Sequence, residues 1–571
     1  MATSVNFNLN LDLPTCVGWT ATPFLLPSYP LAVRTPYLSA WLPQGSGNAL
    51  SDVWPQYWTG RVLGWAGFVN VDGATYSYLG NPADQHQSPP QFTSTQSTFV
   101  MTTGPVELTV NFLSPVEPEN ILHQSIPFTY LAVSAVSTDG GSHSVSIFSD
   151  ISAEWTHQVQ LVNQTEYGEF SGQSQTMFEQ HPRHLTLHLG GQANSLTYQT
   201  GEDTVIRAQF IENARLPDTQ DTNFRAVDDA WPVFAFAHTL SVGTTASTPV
   251  KFSIGQVRDP AMEYIIVGNA YQKRSYYWWS TYSSVAALIS DFINAYPTAL
   301  ATANTFDAKV QTDVSAISDE YAGIAASAVR QTFGATELTI SKGSDGSWNT
   351  SGTLMFLKRI EYPAAIGHNL GQDEKMPIEE SGNMLIMALD YTQRSGNISM
   401  ASTYTLLGTG LVPSSVMDMR TFENYLVSLL LRISHNTTES TYYSENFSVQ
   451  FPTWSTMTDF SHLADTYGFP IDSRPSPTLL TSAAIIQRSP YTSAMWQLWT
   501  ACTTSTAVRD TFFTKVYNWL TSGLTDIPFG DRFLDGTGAT SSNQARPVVG
   551  SVFALRTPLA NYAIKTRTDS N

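Results

Sequence analysis

Apolar and polar residues alternate with a period of two through most of the chain up to about residue 265. Residues 98–112 (TFVMTTGPVELTVNF) show this on both sides of a Gly-Pro turn, and 130–136, 144–148, 184–189 and 233–238 repeat it. Successive side chains of a strand point to opposite faces, so the pattern predicts strands with one buried face. Asp139-Gly140-Gly141 and Gly190-Gly191 supply turn signals between them. Many short strands at this spacing predict a β-sandwich.

The period changes near Tyr271. After the bulky cluster at 276–279 (YYWW), residues 284–303 carry apolar positions at helical spacing, and 306–333 continue in helical style. Residues 374–395, 421–433, 492–502 and 508–521 are further helix candidates. Strands first and helices later predict a multidomain α+β protein. The boundary falls within 265–285, giving an N-terminal sandwich over 1–270 and a helical domain over 271–571. No linker-like run marks it, so the two parts are expected to pack together.

Composition narrows the function. Of 571 residues, 42% are hydrophobic and 12% aromatic, enough apolar surface to exclude intrinsic disorder. Only 13% are charged, and 28 Lys+Arg against 47 Asp+Glu leave a net −19. An acidic chain lacks the basic face that a nucleic acid requires. No run reaches the ~18–20 apolar residues of a membrane span. Cys16 and Cys502 lie near opposite ends and are expected to be free thiols. Residues 1–10 show neither the basic patch nor the apolar core of a signal peptide. A Ser-, Thr-, Asn- and Gln-rich surface and five Asn-x-Ser/Thr sequons, at Asn163, Asn349, Asn397, Asn436 and Asn446, nevertheless point to secretion.

The densest polar constellation is 368–383 (HNLGQDEKMPIEESGN). Pro377 suits a first helical turn, and Glu379 and Glu380 there gain from the helix dipole. That much is compatible with a plain capped helix start. Four carboxylates within eight residues, Asp373, Glu374, Glu379 and Glu380, would also raise one another's pKa, so that one stays protonated as an acid while another acts as base. Glu380, Met384, Met387 and Tyr391 share one helix face. His368 has no second His nearby and the carboxylates lack binding-loop spacing, so no metal or other cofactor is expected. Neither a Gly-x-Ser-x-Gly elbow nor a phosphate loop is present. The aromatic stretch 52–65, with Trp54, Tyr57, Trp58, Arg61 and Trp65, reads as core packing more than as a ligand pocket. Asp150 and Glu154 read as turn acceptors, and Arg258–Asp259 as an ion pair at the domain boundary.

Taken in order, several stretches resemble the fungal secreted glutaminase A family: PLAVRTPYLSAW at 30–41, WPQYWTGRVLGWAGFVNVD at 54–72, and the segments 97–118, 130–155 and 233–260. RQTFGATEL at 330–338, 368–393, YGFPIDSR at 467–474 and ARPVVGSVFAL at 545–555 extend the likeness into patches of the second half. The resemblance implies an N-terminal β-sandwich, a C-terminal (α/α) toroid of six helical hairpins, and hydrolysis of L-glutamine to L-glutamate and ammonia. On that reading Asp373, Glu374 and Glu380 are the catalytic candidates, and His368, Asn369, Glu379 and Asn383 hold the substrate. Glutamine is then the partner, with no nucleic acid or membrane span, and the oligomeric state stays open.

The chain also departs from the family. Ser381 stands where the family's Glu-Glu-Cys-Gly-Asn has Cys, Pro475-Ser476-Pro477 replaces a His-Tyr-Thr-Lys-like segment, and Gly550-Ser551-Val552-Phe553 replaces Gly-Gly-His-Phe. Family segments are absent between Glu361 and Tyr362 and around 404–407. Twelve helices of about 12–14 residues with short connections need roughly 200–270 residues, nearly all of the chain beyond position 285. An incomplete toroid is therefore expected. Two alternatives stand beside a glutaminase: a glycoside hydrolase on a similar toroid, with the Trp-rich half stacking sugars, and an inactive, shortened family member.

Overall fold

The structure is a computed structural model, which describes residues 24–43, 50–80, 91–152, 160–161, 168–173, 182–190, 195–223, 229–266, 270–357, 465–468, 491–501, 506–540 and 544–556. Two compact units are separable, and the smaller, Gln372–Ala464, lies outside the described residues. The described elements all belong to the larger unit.

Strands β1 (Ser28–Thr35), β2 (Leu38–Pro43) and β3 (Gln56–Tyr57) form a small antiparallel sheet. Next come β4 (Trp65–Val71), β5 (Ala74–Leu79), β6 (Gln91–Phe92), β7 (Gln96–Thr103), β8 (Val106–Leu113), a short helix α1 (Ile121–Gln124), β9 (Phe128–Ser137) and β10 (His143–Ser152). β11 (Gln160–Leu161), β12 (Gly168–Gln173), β13 (Pro182–Gly190), β14 (Leu196–Glu202), helix α2 (Asp203–Asn213), β15 (Pro232–Val242) and β16 (Val250–Arg258) complete the strand-rich part. They build two antiparallel sheets, a five-stranded one in the order β14-β15-β10-β4-β5 and an eight-stranded one in the order β11-β12-β13-β16-β9-β8-β7-β6. This is the expected sandwich. Trp65 of β4 meets Phe112 of β8 edge-on at 5.3 Å, and Phe99 of β7 meets the same ring at 5.7 Å. Alternation is clean in β8, where Val106, Leu108, Val110 and Phe112 are buried and Glu107, Thr109 and Asn111 are not fully so. The outer face of the five-stranded sheet is covered by α2, whose Ile206 and Phe210 pack on Phe68, Phe148 and Ala235.

Strands β17 (Met262–Ile266) and β18 (Ala270–Tyr276) lead to a 3-10 turn (Tyr277–Ser280) and then to α3 (Val285–Asn294), α4 (Tyr296–Ser315) and α5 (Asp319–Phe333). The helical spacing over 284–303 belongs to two helices. α3 ends at Asn294, and Pro297 sits in the first turn of α4, where its missing N–H costs nothing. α4 then runs through Asn304 and Thr305 to Ser315. Ser284 and Ser318 cap α3 and α5 by accepting from the N–H groups of Ala287 and Tyr321. The helical second half also contains strands that the periodicity did not foretell. β19 (Thr336–Lys342) and β20 (Trp348–Leu357) join β17 and β18 in a sheet ordered β17-β18-β19-β20. Beyond 465, β21 (Tyr491–Ser493), α6 (Ala494–Ala501), α7 (Thr506–Leu520), β22 (Arg532–Leu534) and a 3-10 segment (Pro547–Arg556) are described.

Helices and sandwich share one core. Phe292 of α3 stacks on Tyr130 of β9 at 4.0 Å with 6° between the rings, and the Tyr130 hydroxyl donates to the Phe292 carbonyl. Leu288, Ile289 and Tyr296 join Leu113, Phe128, Val257 and Trp278 in that cluster. Within the eight-stranded sheet, Phe128 of β9 lies across Gly255 of β16, where any side chain would overlap its ring.

Candidate functional site

The seven residues singled out for chemistry, His368, Asn369, Asp373, Glu374, Glu379, Glu380 and Asn383, lie outside the described residues, as do the helices expected over 374–395 and 421–433 and both cysteines. The structure does describe the elements on either side of them in sequence, and the buried polar groups that hold those elements.

Toward the C-terminus, α5, α7, the two-stranded β21–β22 sheet and the 3-10 segment lock together through side chains. Tyr321 of α5 stacks on Phe513 of α7 at 4.5 Å and donates its hydroxyl to the Val552 carbonyl. Gln331 donates through Nε2 to the carbonyls of Phe529 and Arg546, at 3.0 and 2.9 Å. Trp519 lies flat on Phe533 at 4.2 Å, and its Nε1 donates to the Gly538 carbonyl. Around this frame the chain buries polar side chains that periodicity and spacing did not mark: Thr492, Gln497, Asp531 and Asp535. Asp531 faces Arg546 at 3.4 Å, and Gln497 donates to Thr492 Oγ1 at 2.9 Å. The Asp535 carbonyl receives the Tyr467 N–H at 2.7 Å, tying the start of the YGFPIDSR stretch to β22. Lys515 donates to the Asp465 carbonyl; burial lowers its pKa, against the opposing pull of the Asp465 carboxylate. The available signal was the pair of aspartates in DRFLD (531–535) within a chain so poor in charge.

At the junction of sandwich and helices, Arg258 ends β16 and Glu337 lies on β19 just after α5. Both are buried, and Arg258 Nη2 meets Glu337 Oε1 at 2.5 Å. The Tyr276 hydroxyl donates to the same oxygen at 2.6 Å, and the guanidinium lies 3.5 Å from the Tyr37 ring centre. Burial pulls the Arg258 pKa down, but Glu337, Tyr37 and Tyr276 together outweigh it, and the net shift is upward. Arg258 is thus the boundary ion pair expected from sequence, with a different partner: Asp259 instead accepts from Ser275. A second clamp joins α4 and α5 to the sandwich. Asp307 accepts from Thr93, Thr95 and Gln96 at 2.6, 2.7 and 3.1 Å. Arg330 donates to the carbonyls of Pro30 and Gln96, both at 2.9 Å; burial lowers its pKa to about 9 against the favourable field of Asp307.

Asp150 is no turn acceptor. It lies inside β10, fully buried, where Arg207 of α2 grips both its oxygens at 2.8 and 3.1 Å while reaching Asp203 at 2.6 Å. Burial raises the Asp203 pKa, with Arg207 opposing. Of the aromatic stretch, Tyr57, Trp58 and Trp65 are buried in the core and Arg61 is exposed. These arrangements join one element to another and serve architecture. No group of three or more potential metal ligands occurs among the described residues, and no described helix is long and apolar enough to cross a membrane.

Comparison with known proteins gives these elements a family. The family described as "Domain of unknown function (DUF5127)" matches residues 95–313, the greater part of the sandwich with α3 and most of α4. The "Glutaminase A six helical-hairpin domain" matches 360–411 and 430–556, segments that include the acidic constellation and the β21–β22 frame. Glutaminase A of Aspergillus oryzae is 30% identical over 94% of this chain and 96% of its own. A protein named as a probable glutaminase from Arthroderma benhamiae is 24% identical over 66% of this chain and 54% of its own. Among solved structures, a human-microbiome protein described as a kojibiose phosphorylase aligns over 29% of this chain and 18% of its own, at 8% identity and a TM-score of 0.19, too slight a likeness to bear on function. With close to a third of its residues matched along nearly the whole of both chains, this protein belongs to the glutaminase A family.

Proposed function

We propose that this chain is a secreted glutaminase, hydrolysing the side-chain amide of L-glutamine to L-glutamate and ammonia. The observation that carries the reading is the near end-to-end similarity to Aspergillus oryzae glutaminase A, with the hairpin-domain match beginning at 360 and so taking in residues 368–383. A carboxylate among Asp373, Glu374 and Glu380 acts as base on the attacking water, and a second carboxyl, kept protonated by its neighbours, delivers a proton to the departing ammonia. Glu379, His368, Asn369 and Asn383 orient the amide and the α-groups. Glu380→Gln and Asp373→Asn are each expected to reduce ammonia release by about 10²-fold or more, the usual scale of acid–base catalysis; full activity in both variants would remove the assignment.

A shortened helical domain, lacking segments near 361 and 404, is part of the same proposal. The alignment with the Aspergillus relative runs over 673 positions, whereas this chain has 571 residues, so over a hundred positions face gaps in it. The same gaps favour a second reading, a family member that binds glutamine without turning it over. A rise in melting temperature with glutamine and no ammonia released would identify it.

A further inference from the structure

We propose that Asn349 is an N-glycan acceptor and that its glycan covers the β20 side of the β17–β20 sheet; the proposal rests on the secreted reading above. Of the five sequons, Asn349-Thr350-Ser351 lies among the described residues, at the start of β20. The ladder with β19 pairs Ser341 with Asn349 and Thr339 next with Leu354, so residues 350–353 bulge from the strand between two paired positions. Asn349 and Thr350 are exposed. The Asn349 Oδ1 accepts from the Ser351 hydroxyl at 2.9 Å and from the Gly352 N–H at 3.0 Å, closing a tight turn on its own sequon. Its Nδ2 donates to no group among the described residues. A side chain at position 352 would stand 2.7 Å from Nδ2, so glycine there keeps the nitrogen clear.

The surroundings give a glycan something to do. β20 is the last strand of its sheet among the described residues, and Leu354 and Met355 on it are 38% and 52% exposed. An open edge with apolar side chains invites strand addition by another chain, and bulky polar cover blunts it. In the transfer, Nδ2 bonds the anomeric carbon of a lipid-diphosphate-linked oligosaccharide. The bond from that carbon to the phosphate oxygen breaks, the lipid diphosphate departs, and the amide nitrogen releases one proton to base.

The test is expression of the full chain in yeast behind a supplied secretion leader, alongside Asn349→Gln and Ser351→Ala, with trimming by an endoglycosidase that leaves one N-acetylglucosamine. Peptide mass mapping is expected to find that sugar on the Asn349 peptide of the parent and on neither variant. The two variants, and the parent after trimming, should scatter light at a lower temperature than the untrimmed parent. The same variants made unglycosylated in bacteria should match the bacterial parent. A bare Asn349 peptide, in medium or cell fraction, overturns the acceptor assignment, and equal scattering with and without glycan overturns the covering role. Because the leader is supplied, either failure is separate from that of the secreted reading, which is judged by how ammonia-releasing activity divides between medium and cells of the source organism.

Discussion

Single residues show where local reading ends. Arg207 bridges two buried aspartates, and Arg258 shares the Glu337 carboxylate with Tyr276. A buried ion pair adds little net stability when intact, but removing one partner strands the other charge at about 3–5 kcal/mol. Arg207→Met and Glu337→Gln are therefore each expected to destabilise by about that amount, read as a lower urea midpoint at unchanged slope. The sequence announced neither partnership. Asp150 and Arg207 lie 57 positions apart and Arg258 and Glu337 79, and only the completed fold brings them together. Arg258 could be assigned to a boundary ion pair because it lies shortly before the apolar period changes; its nearest acid in sequence, Asp259, was the natural but mistaken partner.

At the scale of elements, alternation exposed β8, β9 and β15 because each has a less-buried face or end, whereas β1 and β2 are buried on both faces and carry no such signal. The β19–β20 hairpin escaped notice because it comes directly after α5, inside a stretch dominated by helical spacing. Helical spacing ran on unbroken through 306–333, but Ser318 caps a new helix, α5, ahead of Asp319-Glu320, and Ser318→Ala should cost about 1 kcal/mol, measured by thermal unfolding. Turns carry their own chemistry. His143 donates through Nδ1 to Asp72 at 2.6 Å and through Nε2 to Asp139 at 2.9 Å, pinning two hairpin turns together. Hydrogen bonds to Asp72 and Asp139 raise the His143 pKa; those from His143 lower that of Asp72, and that of Asp139 to about 2. A raised histidine contributes fully below its unfolded value near 6.5 and fades as pH climbs through the folded one. Depressed aspartates contribute above their unfolded value near 3.9 and fade as pH falls. The stability lost in His143→Gln should thus be greatest between about pH 4 and 6.5 and shrink on either side; a loss independent of pH would contradict the pin.

For the molecule as a whole, the sandwich and its helices are bound by a common core and two polar clamps, so they should unfold together. Phe292→Ala is expected to cost about 3–5 kcal/mol and to lower the transition followed by sandwich tryptophan fluorescence and by helical circular dichroism equally. Fold class and the order of strands before helices were open to sequence reading, since periodicity is a local property. The acidic constellation at 368–383 stood out for the crowding of like charges in a chain with only 13% charged residues. Which of those carboxylates face one another is a matter of tertiary placement that spacing does not encode, and the buried Asp531 and Asp535 went unmarked for the same reason. The most direct measurement of the central claim is ammonia release from L-glutamine by the purified parent, Glu380→Gln and Asp373→Asn, with folding checked by circular dichroism. Turnover by the parent and at least about 10²-fold loss in both folded variants is the predicted result. A parent that releases no ammonia, or variants that keep its rate, would contradict it.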